Sequence, residues 1–123
     1  MKILKIEVGK APTIKEIPNT LTALQAEVSG LIEPICLGDG CILVGNEEGK
    51  INGMEPNRWL GNSDIVCGPF FICGDDGEDF TSLTDQQIEK YSEVFSEVPV
   101  FSGEESELKP RATIIGFDFM KGM

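Results

Sequence analysis

The polar residues best placed for chemistry fall on two predicted loops near the middle of the chain: Glu47, Glu48, Lys50, Asn57 and Arg58. If these loops converge, the carboxylate, ammonium, amide and guanidinium groups form a small polar recognition patch. Exposed charge clusters are also common and contribute little energy. The alternative is therefore a hairpin turn with exposed charges, and an Arg58 that pairs with a local carboxylate.

The chain offers no familiar catalytic constellation. It contains no histidine, which excludes His-assisted serine or cysteine hydrolysis. No Walker-type phosphate loop is present, because Gly49-Lys50 lacks the earlier glycine and the following Ser or Thr. The sequence also contains no G-x-G-x-x-G turn after a strand. An enzyme would need a carboxylate or thiolate for proton transfer, and no oriented pair is evident. We therefore predict no catalytic residue and no cofactor, and we favour a non-enzymatic role.

Two groups of potential metal ligands have the wrong spacing for common sites. The cysteines occur as C-x4-C and C-x5-C pairs, at positions 36, 41, 67 and 73. Zinc sites usually show C-x2-C pairs or histidines, so we predict reduced thiols packed on strands, with a four-thiolate site as the alternative. The acidic run at residues 74–79 has consecutive carboxylates, unlike an EF-hand loop. It predicts a solvated turn, with weak divalent-cation binding as the alternative.

Size and charge restrict the classes of function. The 123 residues, 41% hydrophobic, suit one globular domain with a sizeable core. The formal net charge of −11 disfavours direct nucleic-acid binding, because such a surface repels phosphates. An acidic surface can attract basic partners or simply confer solubility. No signal peptide or membrane-spanning segment is evident, so we predict a cytoplasmic protein.

The first half of the chain predicts a hairpin, a helix and a second hairpin. Residues 2–8 and 13–17 are typical of paired strands around a turn. Thr20 is a predicted helix N-cap, and Leu21, Leu24 and Val28 share one helical face. Gly30 is predicted to end this helix in the left-handed conformation. Residues 31–37 and 41–44 follow as strands around Gly38-Asp39-Gly40.

The second half predicts an irregular loop, strands and a well-marked helix. Residues 51–64, which include Pro56, are predicted to form the loop, and residues 65–67 and 70–73 to be strand segments. Thr84 and Gln87 match a capping box that begins a helix, with Leu83 and Ile88 as its hydrophobic staple. Residues 111–119 alternate like a final strand, with one side formed by Thr113, Ile115, Phe117 and Phe119.

Together these elements predict a single α+β domain: a mainly antiparallel sheet with two helices packed against it. We place the core domain at residues 1–97. Residues 98–123 are a predicted C-terminal extension with an acidic stretch and the final strand.

Several pieces of the sequence together resemble a family of small proteins, the domain of unknown function numbered 3846. The matching pieces, in order, are Glu7, Gly9-Lys10, Leu24-Gln25, Val28-Ser29-Gly30, Ile32-Glu33, residues 46–50, Asn57-Arg58, residues 68–72, Asp79-Phe80 and Ser82-Leu83-Thr84. Members of this family look like products of bacterial phages, plasmids and integrated elements. The resemblance supplies no catalytic residue and implies an accessory gene of a mobile element.

These observations lead to two functional hypotheses. The first is a non-enzymatic binding protein, regulatory or anti-defence, whose acidic surface docks on a basic protein surface. The second is a small-ligand or metal-binding domain that uses Glu47, Lys50, Asn57 and Arg58, or the cysteines. The final predicted strand could complete the chain's own sheet or pair with a neighbouring copy, giving a homo-oligomer.

Overall fold

The computed structural model describes residues 1–61 and 64–101, which form eight strands and two helices. The strands are β1 (Lys2–Ile6), β2 (Thr13–Glu16), β3 (Ile32–Cys36), β4 (Cys41–Asn46), β5 (Pro56–Leu60), β6 (Asp64–Cys67), β7 (Phe70–Asp75) and β8 (Phe80–Thr81). The helices are α1 (Leu21–Val28) and α2 (Asp85–Val94). The predicted final strand and most of the predicted C-terminal extension lie outside the described residues, so both stay predictions.

The main sheet is antiparallel and has the order β2-β1-β7-β4-β3, with β8 paired to β7. Strands β5 and β6 form a separate two-stranded ribbon, which is also antiparallel. With two helices added, this arrangement confirms the predicted α+β class.

The central strands are buried on both faces because helices or the ribbon cover each side. Along β7, Phe70 and Ile72 face one apolar cluster, whereas Phe71 and Cys73 face the other. The first cluster packs α2 and the ribbon against the sheet, through residues such as Tyr91. The second packs α1 against the opposite face, through Leu24 and Val28. Side chains alternate along a strand, so one sheet serves two cores.

Helix α2 begins as its sequence predicts. The Thr84 hydroxyl accepts a hydrogen bond from the Gln87 amide, and the Gln87 side chain accepts one from the Thr84 amide. Leu83 and Ile88, the predicted staple, are both buried. The predicted capping box is confirmed, and it sets the residue at which α2 begins.

Helix α1 is confirmed, but two details of its prediction are wrong. Leu21 is exposed, so only Leu24 and Val28 anchor the helix. The left-handed residue at its end is Ser29, with a φ of 62°, and not Gly30. A Cβ atom at Gly30 would lie 2.7 Å from Nδ2 of the buried Asn46. Gly30 is therefore needed for a close approach and not for its backbone angle.

The predicted loop at residues 51–64 is wrong in part, because β5 lies within it. This strand contains Pro56 and two adjacent polar residues, Asn57 and Arg58, a composition that is atypical of strands. The segments at 65–67 and 70–73 are strands as predicted, but they belong to different sheets. Gly68, with a φ of 81°, provides the turn that separates them.

Candidate functional site

The turn after β4 holds the two predicted glutamates at the surface. The buried Asn46 side chain donates hydrogen bonds to the carbonyls of Val28 and Ser29, and its Oδ1 accepts one from the Glu48 amide. Asn46 thus ties the turn to the end of α1. Glu47 and Glu48 are both exposed, so their carboxylates are available to a partner.

Lys50 is half-buried and forms an ion pair with Asp64, the first residue of β6. Oδ1 of Asp64 accepts hydrogen bonds from the Lys50 ammonium and from the Ile65 amide. Its Oδ2 is buried and has no hydrogen-bond partner among residues 1–61 and 64–101. This pair fastens the turn to the ribbon. Asp64 was not singled out from sequence, since nothing local links it to a lysine fourteen residues earlier.

Asn57 and Arg58 are buried, with exposed fractions of 1% and 2%. Nδ2 of Asn57 donates to the carbonyls of Ile6 and Gly68, at 3.0 and 2.9 Å. The Arg58 guanidinium donates to the carbonyls of Lys10 and Phe95 and to Oδ1 and the carbonyl of Asn57. These two side chains join the ribbon to the end of β1, to the β1–β2 loop and to the end of α2.

The alternative expected for Arg58, a local carboxylate partner, is wrong within the described residues. Its four hydrogen bonds go to carbonyl oxygens, one of them the side-chain oxygen of Asn57. Burial lowers the pKa of the Arg58 guanidinium, but arginine stays charged at any physiological pH. The carbonyl of Phe95 lies at the negative end of the α2 dipole, which favours a cation there.

The five predicted site residues are therefore not equally accessible. Glu47 and Glu48 are exposed, Lys50 is half-buried in an ion pair, and Asn57 and Arg58 lie inside the domain. Whether the accessible ones bind a partner stays a prediction.

A second polar region lies at the other end of β4, around the turn at residues 74–79. Oδ1 of Asp76 accepts hydrogen bonds from the Glu78 and Asp79 amides, and Oδ1 of Asp75 accepts one from the Gly77 amide. The backbone hydrogen bonds from Glu78 and Asp79 lower the pKa of the Asp76 carboxyl. Asp76, Glu78 and Asp79 are exposed, in keeping with the predicted solvated turn.

Neighbouring elements add further carboxylates to this turn. The Asp75 amide donates to the Gly40 carbonyl at 2.9 Å, and a Cβ at Gly40 would lie 3.6 Å from Nε2 of Gln87 in α2. The turn at residues 38–40 is therefore next to both the 74–79 turn and the first half of α2. We call five exposed acids of this region, which lie in the 74–79 turn and in α2, the acidic end: Asp76, Glu78, Asp79, Asp85 and Glu89.

Asp39 connects the acidic end to the core. Its carboxylate accepts hydrogen bonds from the Lys90 ammonium at 2.7 Å and from the Tyr91 hydroxyl at 2.8 Å. Burial acts to raise the Asp39 pKa, but the bonds from Lys90 and Tyr91 outweigh it and leave that pKa lowered. The sequence alone does not indicate that Asp39 pairs with Lys90 and Tyr91, because both lie more than fifty positions further along the chain.

The buried side chains beside Asp39 are poor nucleophiles and bases. Burial, together with the Asp39 charge, raises the pKa of the Cys41 thiol to about 12. Burial and the hydrogen bond to Asp39 also raise the pKa of the Tyr91 hydroxyl. A thiol must ionise to react, so neither group is set up for chemistry at neutral pH.

The cysteines do not gather into a cluster of the kind that binds zinc. Residues 1–61 and 64–101 contain no group of three or more His, Cys, Asp or Glu side chains arranged to hold a metal ion. Cys41, Cys67 and Cys73 are buried, Cys36 is exposed, and all four are free thiols. The alternative of a four-thiolate site therefore finds no support in this geometry.

The sequence comparison identifies the family to which this α+β domain belongs. A family model described as a domain of unknown function (DUF3846) matches residues 1–96, and the chain belongs to that family. The predicted resemblance is confirmed. No curated protein and no solved structure gives a significant match. Within the described residues, no helix is long and apolar enough to cross a membrane.

Proposed function

We propose that this protein is a non-enzymatic binding protein that docks its acidic end on a basic protein surface. The observation that carries the proposal is the convergence of exposed acids from adjacent elements, the 74–79 turn and α2. A concentrated field of one sign speeds association with an oppositely charged surface and selects against like-charged ones.

The distribution of the lysines supports this role. Lys5 and Lys15 both pair with Glu27, on the face of the sheet covered by α1, and Lys50 pairs with Asp64. At the acidic end, Lys90 pairs with Asp39. These lysines are thus paired with Glu27, Asp39 and Asp64, and none of their ion pairs involves the five carboxylates of the acidic end.

Helix α2 provides a further argument. Asp85, Glu89 and Glu93 are exposed and spaced four residues apart, so like charges face one another along the helix. Each such pair costs a helix about 0.2–0.5 kcal/mol. Asp85 lies in the first turn, where the helix dipole favours a negative charge. Helix stability does not explain the repulsion between Glu89 and Glu93, which docking would explain.

The proposed biological setting is an expectation based on the family resemblance, and geometry does not bear on it. We propose a product of a bacterial mobile element, a phage or plasmid, that acts in the cytoplasm. The basic partner would be a host or defence protein, including one whose surface normally holds nucleic acid. The role would be regulatory or anti-defence.

Affinity capture from bacterial lysate tests this function. The tagged protein is incubated at low and high salt, and co-purified proteins are identified by mass spectrometry. The proposal expects basic partners that high salt releases, because exposed charge pairs are screened. Partners that are not basic, or that high salt retains, would contradict it.

The small-ligand alternative receives less support from the same geometry. Of its four residues, Asn57 and Arg58 are buried and hydrogen-bonded mainly to main-chain carbonyls, and Lys50 is paired with Asp64. A ligand that used Arg58 would have to displace carbonyls that hold three elements together.

A further inference from the structure

Strand β2 is the outermost strand on one side of the main sheet formed by the described residues. Next to it, Met1 and Ile17 exchange both of their main-chain hydrogen bonds, at 2.8 and 3.0 Å. Bonded and non-bonded pairs alternate along an antiparallel ladder, so the amides and carbonyls of Ile14 and Glu16 point away from β1. Every residue of β2 is exposed. The strand therefore presents main-chain donors and acceptors to its outer side.

The side chains of β2 protect this edge only weakly. Ile14, near the middle of the strand, is 60% exposed. Lysines along an edge normally discourage pairing with another chain, but Lys15 turns to Glu27 of α1 and pairs with it at 2.8 Å. Pro12 and Pro18 lie just outside β2 and have no amide donor. They limit any further pairing to β2 itself.

We propose that a second copy of the chain pairs with this edge, β2 against β2, in a symmetric dimer with one continuous antiparallel sheet. In such a pair the outward-pointing residues must face one another. The registers that keep most of β2 paired are centred on Ile14 or on Lys15. The Lys15 register sets two lysines directly opposite each other, which is destabilising. The Ile14 register sets two isoleucines opposite each other and Lys15 opposite Thr13, so β2 is self-complementary there.

The distribution of charge supports a second copy as the occupant of the edge. Residues 1–17 carry four lysines and two glutamates, whereas the whole chain has a formal net charge of −11. The first hairpin of each copy is therefore attracted to the acidic remainder of the other. The two whole chains still repel one another, and salt screens that repulsion. The dimer should therefore strengthen with salt, whereas docking through the acidic end should weaken, so the two proposals are tested independently.

Sedimentation equilibrium of the full-length protein, over a series of concentrations at low and high salt, tests the dimer. A single pair of short strands buries less area than a standard interface, so we expect weak, concentration-dependent association. The dissociation constant of the dimer should be lower at high salt.

Two substitutions of Ile14 separate the roles of its side chain and its amide. Ile14→Lys keeps the amide but sets like charges opposite each other, and should raise the dissociation constant at least about tenfold. Ile51→Lys is the matched control, because Ile51 is 83% exposed and the change in charge is the same. It should dimerise like the wild type. Ile14→Pro removes an amide that the β1–β2 ladder does not use, and should be monomeric.

Circular dichroism checks that the variants stay folded, and Ile14→Lys alone decides if the proline variant does not. A wild type that stays monomeric up to about 1 mM at high salt would overturn the proposal, whatever then covers the edge. So would a dimer that weakens with salt, wild-type dimerisation of Ile14→Lys, or an equal loss in Ile51→Lys.

Discussion

Asn57 and Arg58 show how a polar pair can organise a small domain from within. The sequence marks them as polar residues worth attention, and its family resemblance includes them. It does not show that they are buried, because their partners are main-chain carbonyls of Ile6, Lys10, Gly68 and Phe95. Such partners leave no signature in residue types. Only the structure therefore shows that Asn57 and Arg58 are buried.

Replacement of Arg58 with methionine should destabilise the protein strongly. It leaves the carbonyls of Lys10 and Phe95 without this donor, and an unsatisfied buried acceptor such as the Phe95 carbonyl costs about 1–3 kcal/mol. We expect the free energy of unfolding to fall by roughly 2–5 kcal/mol in urea denaturation. Lys10→Gln is the control, because Lys10 contributes its carbonyl, and should change stability by less than about 0.5 kcal/mol. A small effect of Arg58→Met would refute this structural role.

Asp39 gives a pH dependence with a definite sign. Its pKa in the folded protein is below the ordinary value of 3.8, so the carboxylate stabilises the fold above that pH. That contribution is lost as the pH falls through the lowered pKa. Asp39→Asn should lower the free energy of unfolding at pH 7 by about 0.5–1.5 kcal/mol.

The difference between Asp39→Asn and the wild type should shrink below about pH 3.8, as followed by urea denaturation across pH. Glu97→Gln removes an exposed acid and serves as the control. A difference that stays constant down to pH 2 would show that the charge of Asp39 is not what stabilises the fold.

At the scale of elements, the sequence correctly predicted features that depend only on residues close together in the chain. The capping box of α2 and the glycine turn at residues 38–40 were both readable, because each involves hydrogen bonds or backbone angles within a few residues. Strand β5 was missed, because its polar residues face inward to satisfy distant carbonyls. The assignment of β6 and β7 to different sheets was also missed, since sheet membership depends on contacts far along the chain.

Two substitutions at the end of α1 test whether Ser29 is strained by its backbone angle and whether Gly30 is needed for its close approach to Asn46. Ser29→Gly should raise the free energy of unfolding by up to about 1 kcal/mol, because a left-handed residue with a Cβ is strained. Gly30→Ala should lower it by about 1–3 kcal/mol, because the new Cβ would displace the buried Asn46 amide. Thermal or urea unfolding measures both. If the two substitutions had the opposite order, this account of the helix end would be wrong.

At the scale of the whole molecule, the domain separates its structural charges from its displayed ones. Glu27, Asp39 and Asp64 form ion pairs with lysines, whereas none of the ion pairs among the described residues involves the five carboxylates of the acidic end. The net charge of −11 was visible in the sequence. The placement of that charge was not, since it depends on how the turns and α2 meet.

The central claim is that docking uses the acidic end and not the acidic character of the whole protein. Exposed acids that lie far from the acidic end provide a matched comparison. Strand β4 places Glu47 and Glu48 about 20 Å from the turn at residues 38–40. A triple variant with Glu78→Gln, Asp85→Asn and Glu89→Gln removes as much charge as one with Glu47→Gln, Glu48→Gln and Glu55→Gln. All six residues are exposed.

The most direct test is therefore the affinity of both triple variants for the captured basic partner, measured by titration calorimetry at fixed salt. We predict that the acidic-end variant binds at least about tenfold more weakly, a loss of about 1.4 kcal/mol. The other variant should bind like the wild type. Equal losses would show that only net charge matters, and a loss confined to the Glu47 variant would move the interface to the opposite end of the sheet.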